Sequence, residues 1–186
     1  MLKFRMQGTP NPNARKYVLN EEVKALGKIS YKDQSDCAHV PLAYYLLGVE
    51  GIKQVHLFEN IVTITREEGC DWSELDGIVQ ASLIKHIGNH DIFFEDSLMK
   101  PEEKRQVHTG ELLKIDQILD ETIRPSLQMD GGDVLLLSFD DNILQIQYQG
   151  ACQSCPSSMS MTLAGIESVL HENYSKDIQI VVRDDL

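Results

Sequence analysis

The hydrophobic pattern of the chain breaks off between Phe94 and Gly110, and this break limits how the 186 residues can fold. The segment from Lys100 to Gln106 is charged, contains a proline and lacks a strong apolar stripe, which is typical of a linker. Apolar residues recur on both sides of it, and a chain of this length suffices for two small cores. We therefore predict two domains, residues 1–94 and residues 111–186, joined by a linker over residues 95–110.

Acidic residues are unevenly distributed between the predicted domains. Residues 111–186 contain 13 acidic and 4 basic residues, whereas residues 1–110 contain 16 acidic and 13 basic ones. The net charge of −12 disfavours nucleic acids and anionic membranes as partners, because phosphate is bound by clustered Lys and Arg. The first residues of the chain show neither the apolar core of a signal peptide nor an Arg- and Ser-rich amphipathic leader. Four cysteines are too few for a disulfide framework, so we expect a cytoplasmic protein.

The first domain is predicted to be a small α/β unit. In chain order, the predicted elements are a strand over 2–6, a turn over 9–13, a strand over 17–19, a helix capped by Asp36 and ended by Gly48 or Gly51, a hairpin over 55–65, and a helix capped by Asp71 over 72–87. β-branched residues on both sides of Glu59-Asn60 indicate the hairpin. Two successive β-β-α units suggest a sheet that is covered by helices on one face.

The second domain is predicted to follow the order α-β-β-α-β. The predicted elements are a helix over 112–123, a turn over 130–133, strands over 134–139 and 143–148, a helix from about 158 to 170, and a strand over 178–182. Gly131 and Gly132 suit the turn, where Asp130 and Asp133 are interpreted as turn and cap residues. We expect a mixed sheet covered by helices on one face, and the fold class of the chain is therefore α+β.

Cys152 and Cys155 are the residues best suited to chemistry. They lie where a strand gives way to a helix, on a loop that we expect to be exposed, and residues 142–166 contain no Lys, Arg, Asp or Glu. The unpaired N–H groups and positive dipole end of the helix favour the thiolate form. Thiolates bind soft metal centres, but two of them cannot complete a four-thiolate site. This shortage points to a site shared between two copies of the chain.

The residues alone leave four interpretations of this pair open. Two chains could share an iron–sulfur cluster, because four-cysteine ligation then takes two thiolates from each. The pair could belong to a thiol–disulfide oxidoreductase, although the strands before it look like an antiparallel hairpin and not a β-α-β unit. It could form half of a structural zinc site bridging a dimer. Finally, the two cysteines could be incidental.

Several separated motifs in the chain agree in order and spacing with one known family. In the second half they are Ile123-Arg124-Pro125, Asp130-Gly131-Gly132-Asp133-Val134, Gly150-Ala151-Cys152-Gln153-Ser154-Cys155-Pro156-Ser157-Ser158 and Thr162-Leu163-Ala164-Gly165-Ile166-Glu167. This half resembles the NifU-like C-terminal domain of Nfu-type iron–sulfur proteins. Thr9-Pro10-Asn11-Pro12-Asn13 resembles the N-terminal domain that accompanies it in Nfu proteins.

The resemblance implies an iron–sulfur cluster scaffold or carrier that is not an enzyme. Proteins of this family hold a labile 4Fe–4S cluster at a subunit interface and pass it to apo-proteins. Carried over to this chain, the resemblance makes Cys152 and Cys155 the cluster ligands. It further implies a homodimer when loaded, with apo iron–sulfur proteins as recipients and upstream cluster-assembly proteins as partners. Met159 and Met161 depart from the smaller or polar residues expected at the helix start.

The other cysteines and histidines are weaker candidates. Cys37 and Cys70 each lack a neighbouring thiol and are interpreted as buried or incidental. His86 and His90 are four residues apart, but Gly88 between them is expected to end the helix before they can share a metal ion.

Overall fold

The computed structural model describes residues 2–94, 110–154 and 156–183, with only the backbone described at 153, 154 and 156–158. The chain forms two compact units, Met1–Leu98 and Met99–Leu186. Apart from Gly110, the predicted linker lies outside the described residues. Helices and strands are present in both units, so the predicted α+β class is confirmed.

A five-stranded sheet, antiparallel throughout, forms the framework of the first unit. Its strands are β1 (Phe4–Gly8), β2 (Ala14–Leu19), β3 (Lys24–Tyr31), β4 (Ile52–Glu59) and β5 (Ile61–Arg66), arranged in the order β1-β2-β5-β4-β3. The predicted hairpin is confirmed, because β4 and β5 pair directly across a tight turn. Glu59 enters this turn with φ of 47°, and the Asn60 side chain donates to Leu19 O at 2.7 Å. This hydrogen bond links the hairpin turn to the last residue of β2.

The sequence pattern does not predict β3. Two lysines, Lys24 and Lys28, interrupt its apolar alternation, and the pairing register with β4 shifts between them. Gly27, inside this interval, has φ of 69°. A bulge of this kind breaks the two-residue periodicity on which strand prediction depends.

Two helices, α1 (Pro41–Leu47) and α2 (Trp72–His86), accompany the sheet. The predicted start of α2 is confirmed, because Asp71 accepts from the Ser73 N–H at 2.9 Å. The helix predicted from an Asp36 cap is wrong at its start. The chain first makes a 3-10 turn capped by Asp33, and α1 begins at Pro41. Proline is favoured at a first helical position, where its missing N–H has no helical partner to lose.

The two faces of this sheet differ in character. Tyr17 of β2 is fully buried, and its hydroxyl donates to Asp76 of α2 at 2.7 Å, so this face meets the helix. The opposite face carries a row of polar side chains in register across all five strands: Gln7, Lys16, Thr63, His56 and Ser30. Side chains alternate between faces along a strand, which separates the apolar set from the polar row.

The second unit contains a three-stranded mixed sheet, as predicted. Its elements are α3 (Glu111–Thr122), α4 (Arg124–Met129), β6 (Gly132–Asp140), β7 (Ile143–Gly150), α5 (Pro156–Asn173) and β8 (Gln179–Val182). β6 and β7 are antiparallel, whereas β7 and β8 are parallel. The predicted first helix is present as α3, and the sequence did not predict α4, which follows Ile123 and has Pro125 in its first turn.

The core of the second unit explains this arrangement. Alternate residues of β7, namely Leu144, Ile146 and Tyr148, are buried almost completely. They share one core with residues of the helices, including Ile115 of α3 and Ile166 of α5.

Within the part of the chain that is described, none of the helices has the length and apolar character needed to cross a membrane.

Candidate functional site

Cys152 lies where the sequence predicts, between a strand and a helix. β7 ends at Gly150, a 3-10 turn covers Ala151–Ser154, and α5 begins at Pro156. Cys155 lies outside the described residues. The Tyr148 hydroxyl donates to Met159 O at 3.2 Å, which ties the first turn of α5 to the last residues of β7. This hydrogen bond therefore fixes the start of α5 relative to the end of β7, on either side of Cys152.

The Cys152 side chain is buried, contrary to the expectation of an exposed loop. The residue is only 5% exposed and belongs to the apolar core that includes Leu127, Val134 and Tyr148. The expectation failed because a short polar stretch after a strand is usually a surface turn, whereas here the turn folds back over the end of the sheet. Cys152 is thus both a candidate ligand and a packed core residue.

Glycines surround Cys152 on the sheet side. Gly132 and Gly150 are directly opposite each other in the β6–β7 ladder, and the Ala151 N–H donates to Gly131 O at 3.0 Å. A Cβ added at Gly132 would overlap Cys152 Sγ and would lie 2.9 Å from the Cys152 backbone nitrogen. Gly132 therefore leaves the space that the cysteine occupies.

A network of ion pairs around the buried Arg124 lies next to the glycine turn that Gly131 and Gly132 form. Arg124 is 7% exposed, and its guanidinium reaches Asp116 Oδ1 and Asp120 Oδ1, each at 2.6 Å. Its Nε also lies 3.5 Å from Asp133 Oδ1 and donates to Val134 O at 3.4 Å. One cation thus links α3, α4 and the start of β6.

Burial and charge act in opposite directions on Arg124. Desolvation lowers the pKa of its guanidinium, but hydrogen bonds and charge attraction from Asp120, Asp116 and Asp133 raise it above its ordinary value. The group therefore stays cationic inside the unit. One positive charge here faces three carboxylates, so the network leaves the region acidic on balance.

Asp133 has a larger role than the predicted one of turn residue. It does accept from the adjacent Val134 N–H at 2.6 Å, as a turn aspartate would. However, its side chain is fully buried, and Oδ2 also accepts from Gln128 Nε2 at 3.0 Å. Asp130, by contrast, follows the last residue of α4, as expected of a cap position. Arg124 and Asp133 are charged residues of two separate motifs, and the sequence contains no signal that pairs them.

The weaker candidates have local explanations. The Cys37 thiol is buried and points to Asp33 O and Gln34 O, at 3.5 and 3.6 Å. His86 stacks on Tyr45 with ring centroids 4.3 Å apart, whereas His90 Nε2 lies 2.7 Å from Val23 O. Among the described residues, no three His, Cys, Asp or Glu side chains are grouped so as to hold a metal ion.

The turn that contains Cys152, Ala151–Ser154, lies inside a β-α-β unit. β7, α5 and the parallel strand β8 follow one another, so the turn lies at the carboxyl end of a parallel strand. The strands before the cysteines form the predicted antiparallel hairpin, but the expectation that no β-α-β unit accompanies the pair is wrong. It failed because the antiparallel β6–β7 hairpin dominates the local pattern, and the parallel pairing involves a strand that follows 18 helical residues.

Two family models match the chain, one in each half. Residues 4–90 match the model described as scaffold protein Nfu/NifU N terminal, and residues 115–181 match the model described as NifU-like domain. The two matches are in the same order as the two compact units.

Curated proteins similar over most of the chain carry related names. The human protein named NFU1 iron-sulfur cluster scaffold homolog, mitochondrial, is 32% identical over 168 residues, covering 90% of this chain and 66% of its own length. The Drosophila ananassae protein of the same name is 32% identical over 169 residues, covering 90% of this chain and 59% of its own length. The chain thus spans between 59% and 66% of the length of these two relatives.

Solved structures are similar to part of the chain. The solution NMR structure of a NifU-like protein from Saccharomyces cerevisiae is 19% identical, with a TM-score of 0.46. The match covers 51% of this chain and 87% of that one.

Proposed function

Because the chain belongs to the Nfu family of iron–sulfur cluster scaffold proteins, we propose that it holds an iron–sulfur cluster and delivers it to apo-proteins. The observation that carries this proposal is the match of both family models, in order, on a chain whose Cys152 lies at a strand–helix junction. Its recipients would be apo iron–sulfur proteins, and its suppliers would be cluster-assembly proteins.

Cys152 and Cys155 are the proposed ligands, and the proposed cargo is a 4Fe–4S cluster. Such a cluster takes four thiolates, and the CxxC pair supplies two. We therefore propose that two chains share one cluster and that loading favours a homodimer. The start of α5 supports thiolate ligands here, because the pair directly precedes Pro156 in the sequence and the N-terminus of a helix has unpaired N–H groups and a positive dipole end.

A shared site suits transfer better than retention. Separation of the two chains removes half of the ligands at once, so the cluster can leave without breaking a closed four-cysteine cage. The role is one of binding and release, with no covalent turnover, and the chain would not be an enzyme. The related proteins are named mitochondrial, whereas a cytoplasmic location stays a prediction from the sequence.

Anaerobic reconstitution with ferrous iron and sulfide tests this function. We expect about four irons and four sulfides per two chains, and a shift from monomer to dimer on loading. Cys152→Ser and Cys155→Ser should each abolish cluster binding, whereas the matched controls Cys37→Ser and Cys70→Ser should retain it. A monomer that holds a full cluster, or iron loss in the Cys37 or Cys70 variant, would contradict the proposal.

A thiol–disulfide oxidoreductase is the second candidate, and the β-α-β unit favours it. A CxxC pair at the start of such a helix is typical of redox proteins. The same reconstitution separates the two functions, because a colourless protein that reduces disulfides of a test substrate such as insulin would indicate the oxidoreductase. A stoichiometric zinc content without sulfide would indicate the dimer-bridging zinc site instead.

A further inference from the structure

The buried ion pair and the glycine turn form one continuous path to Cys152. We propose that Arg124, Asp133 and Gly132 are positioning residues, which together set where Cys152 Sγ lies for cluster binding. This role rests on the proposed function, because the position of the sulfur matters to cargo only if Cys152 is a ligand. None of the three residues needs to touch the cluster.

The first step of the path fixes Asp133. Its Oδ1 accepts from the Val134 N–H at 2.6 Å, and its Oδ2 accepts from Gln128 Nε2 at 3.0 Å. The Arg124 guanidinium binds the same carboxylate and also Val134 O. Residues 133 and 134 are thereby held at both the side chain and the backbone. The Asp133 side chain is fully buried and that of Arg124 nearly so, and either group would be costly to leave unpaired, so the two specify one arrangement.

The second step transmits this arrangement to the cysteine. Gly132 is bonded directly to Asp133, and its Cα faces Cys152 with no room for a Cβ. Gly131 O accepts from the Ala151 N–H at 3.0 Å, so the turn also holds the residue before the cysteine. A shift of the 131–133 backbone therefore displaces Cys152 directly.

Stability alone does not account for this network. Buried ion pairs are often no more stabilising than apolar residues of similar volume, since desolvation offsets the charge attraction. Outer partners that orient a metal ligand, in contrast, change metal affinity strongly when they are removed. The position of the ion pair, one peptide away from the glycine that contacts the candidate ligand, fits the second role.

Two substitutions in the full chain test the path at different points. Gly132→Ala keeps the ion pair but intrudes on Cys152, and Asp133→Asn keeps the shape of the side chain but removes its charge. Gly165→Ala is the matched control, because a Cβ added there would lie 3.8 Å from Ile123 Cδ1, an ordinary contact.

Two measurements are made on each variant. The first is the rate of alkylation of Cys152 by iodoacetamide in the chain without iron, read by peptide mass spectrometry. The second is the iron and sulfide retained after reconstitution, together with the visible circular dichroism of the bound cluster. Urea unfolding is followed by far-ultraviolet circular dichroism, to which both units contribute, and by Trp72 fluorescence, which reports the first unit. The transition that only the circular dichroism shows establishes whether the second unit of each variant is folded. If Gly132→Ala shows no cooperative unfolding, Asp133→Asn decides the outcome.

We expect both test variants to alkylate Cys152 faster than the wild-type chain and to retain about tenfold less iron, as for other residues that orient metal ligands. Gly165→Ala should match the wild-type chain in both measurements. The proposal is overturned if both folded test variants keep the wild-type alkylation rate and iron content, or if Gly165→Ala loses iron to the same extent. If the wild-type chain takes up no iron, the proposed function fails, while the alkylation rates still decide the positioning role.

Discussion

Cys152 is a candidate ligand that is also part of a packed core. Its side chain is 5% exposed and shares a cluster with Val134 and Tyr148. A sulfur in this position is held in one place by its neighbours. The consequence is that a substitution of Cys152 affects the stability of the second unit as well as ligation, so the two effects have to be measured separately.

We expect Cys152→Ser to lower the free energy of unfolding of the second unit by about 1–3 kcal/mol, because burying a hydroxyl costs more than burying a thiol. Urea titration followed by far-ultraviolet circular dichroism measures this change. Cys70→Ser, at a half-buried thiol of the first unit, is the control and should leave that transition unchanged. An unaltered midpoint in Cys152→Ser would contradict the burial of this side chain.

His90 is a residue of the first unit whose protonation we expect to affect stability. Burial lowers the pKa of its imidazole, and the charge of Lys24 adds to this, while the bond to Val23 O and the charge of Asp91 act in the opposite direction. The folded pKa is therefore below the ordinary value of about 6.5. As the pH falls below that value, the unfolded chain takes up the proton first, and stability is lost on the way down to the folded pKa.

We expect His90→Gln to reduce this loss of stability in acid. Trp72 is the single tryptophan of the chain, so its fluorescence follows the unfolding of the first unit alone. Urea titrations at about pH 7.5 and about pH 5.5 should show a smaller difference in the variant than in the wild-type chain. A part of the difference should persist, because burial also lowers the pKa of His86. Equal differences in both proteins would rule out His90 as a source.

At the scale of elements, the sequence predicted best where residue types and spacing give a local signal. β-branched residues flank the β4–β5 turn and apolar residues recur at helical spacing along α2, and both elements are present. β3 was missed because a bulge at Gly27 breaks its alternation, and α1 was started too early because a capped 3-10 turn precedes it. Both errors arise where local backbone geometry departs from a regular period.

The candidate site was predictable only in part, for a related reason. Cys152 could be identified from its spacing to Cys155, which is a local property of the sequence. The ion pair between Arg124 and Asp133 could not, because it depends on how α4 packs against β6. The parallel pairing of β7 with β8 is likewise set by tertiary structure, since 18 helical residues of α5 lie between the two strands. Long-range contacts of this kind leave no periodic signal.

Tyr17 joins the central part of the first sheet to α2. Its hydroxyl donates to Asp76 at 2.7 Å, and Arg15 forms an ion pair with the same carboxylate. Burial, with the bond to Asp76, raises the pKa of Tyr17 far above its ordinary value, so the hydroxyl stays protonated and remains a donor.

We expect Tyr17→Phe to lower the free energy of unfolding of the first unit by about 1–2 kcal/mol, because the hydrogen bond to a carboxylate is lost while the ring stays packed. Urea unfolding followed by Trp72 fluorescence measures the change. Tyr45→Phe is the matched control on α1, where the ring is half exposed and stacks on His86. A midpoint for Tyr17→Phe equal to that of the control would mean that the bond contributes nothing.

At the scale of the whole molecule, the two units should respond differently to cargo. Both proposed ligands belong to the second unit, so cluster binding stabilises that unit by mass action, by about 2.7 kcal/mol at a hundredfold excess over Kd. The far-ultraviolet transition of the second unit should therefore move to higher urea on loading, whereas the Trp72 transition should stay in place. In Cys155→Ser, neither the far-ultraviolet transition nor the Trp72 transition should move after treatment with iron and sulfide. Movement of the Trp72 transition in the loaded wild-type chain would place a ligand or a coupled surface in the first unit.

The remaining question at this scale is what the first unit contributes. It has its own core and its own family match, but no pair of closely spaced cysteines, and the charge of residues 1–110 is nearly balanced. These properties suit the recognition of recipients better than the binding of a cluster. We therefore expect a fragment over residues 110–186 to take up as much iron per chain as the full chain, but to deliver its cluster more slowly to some apo-enzymes. Transfer rates measured across a panel of recipients test this, with iron content per chain as the control. Equal rates for every recipient would remove the recognition role, because the two proteins differ only in the first unit and the linker.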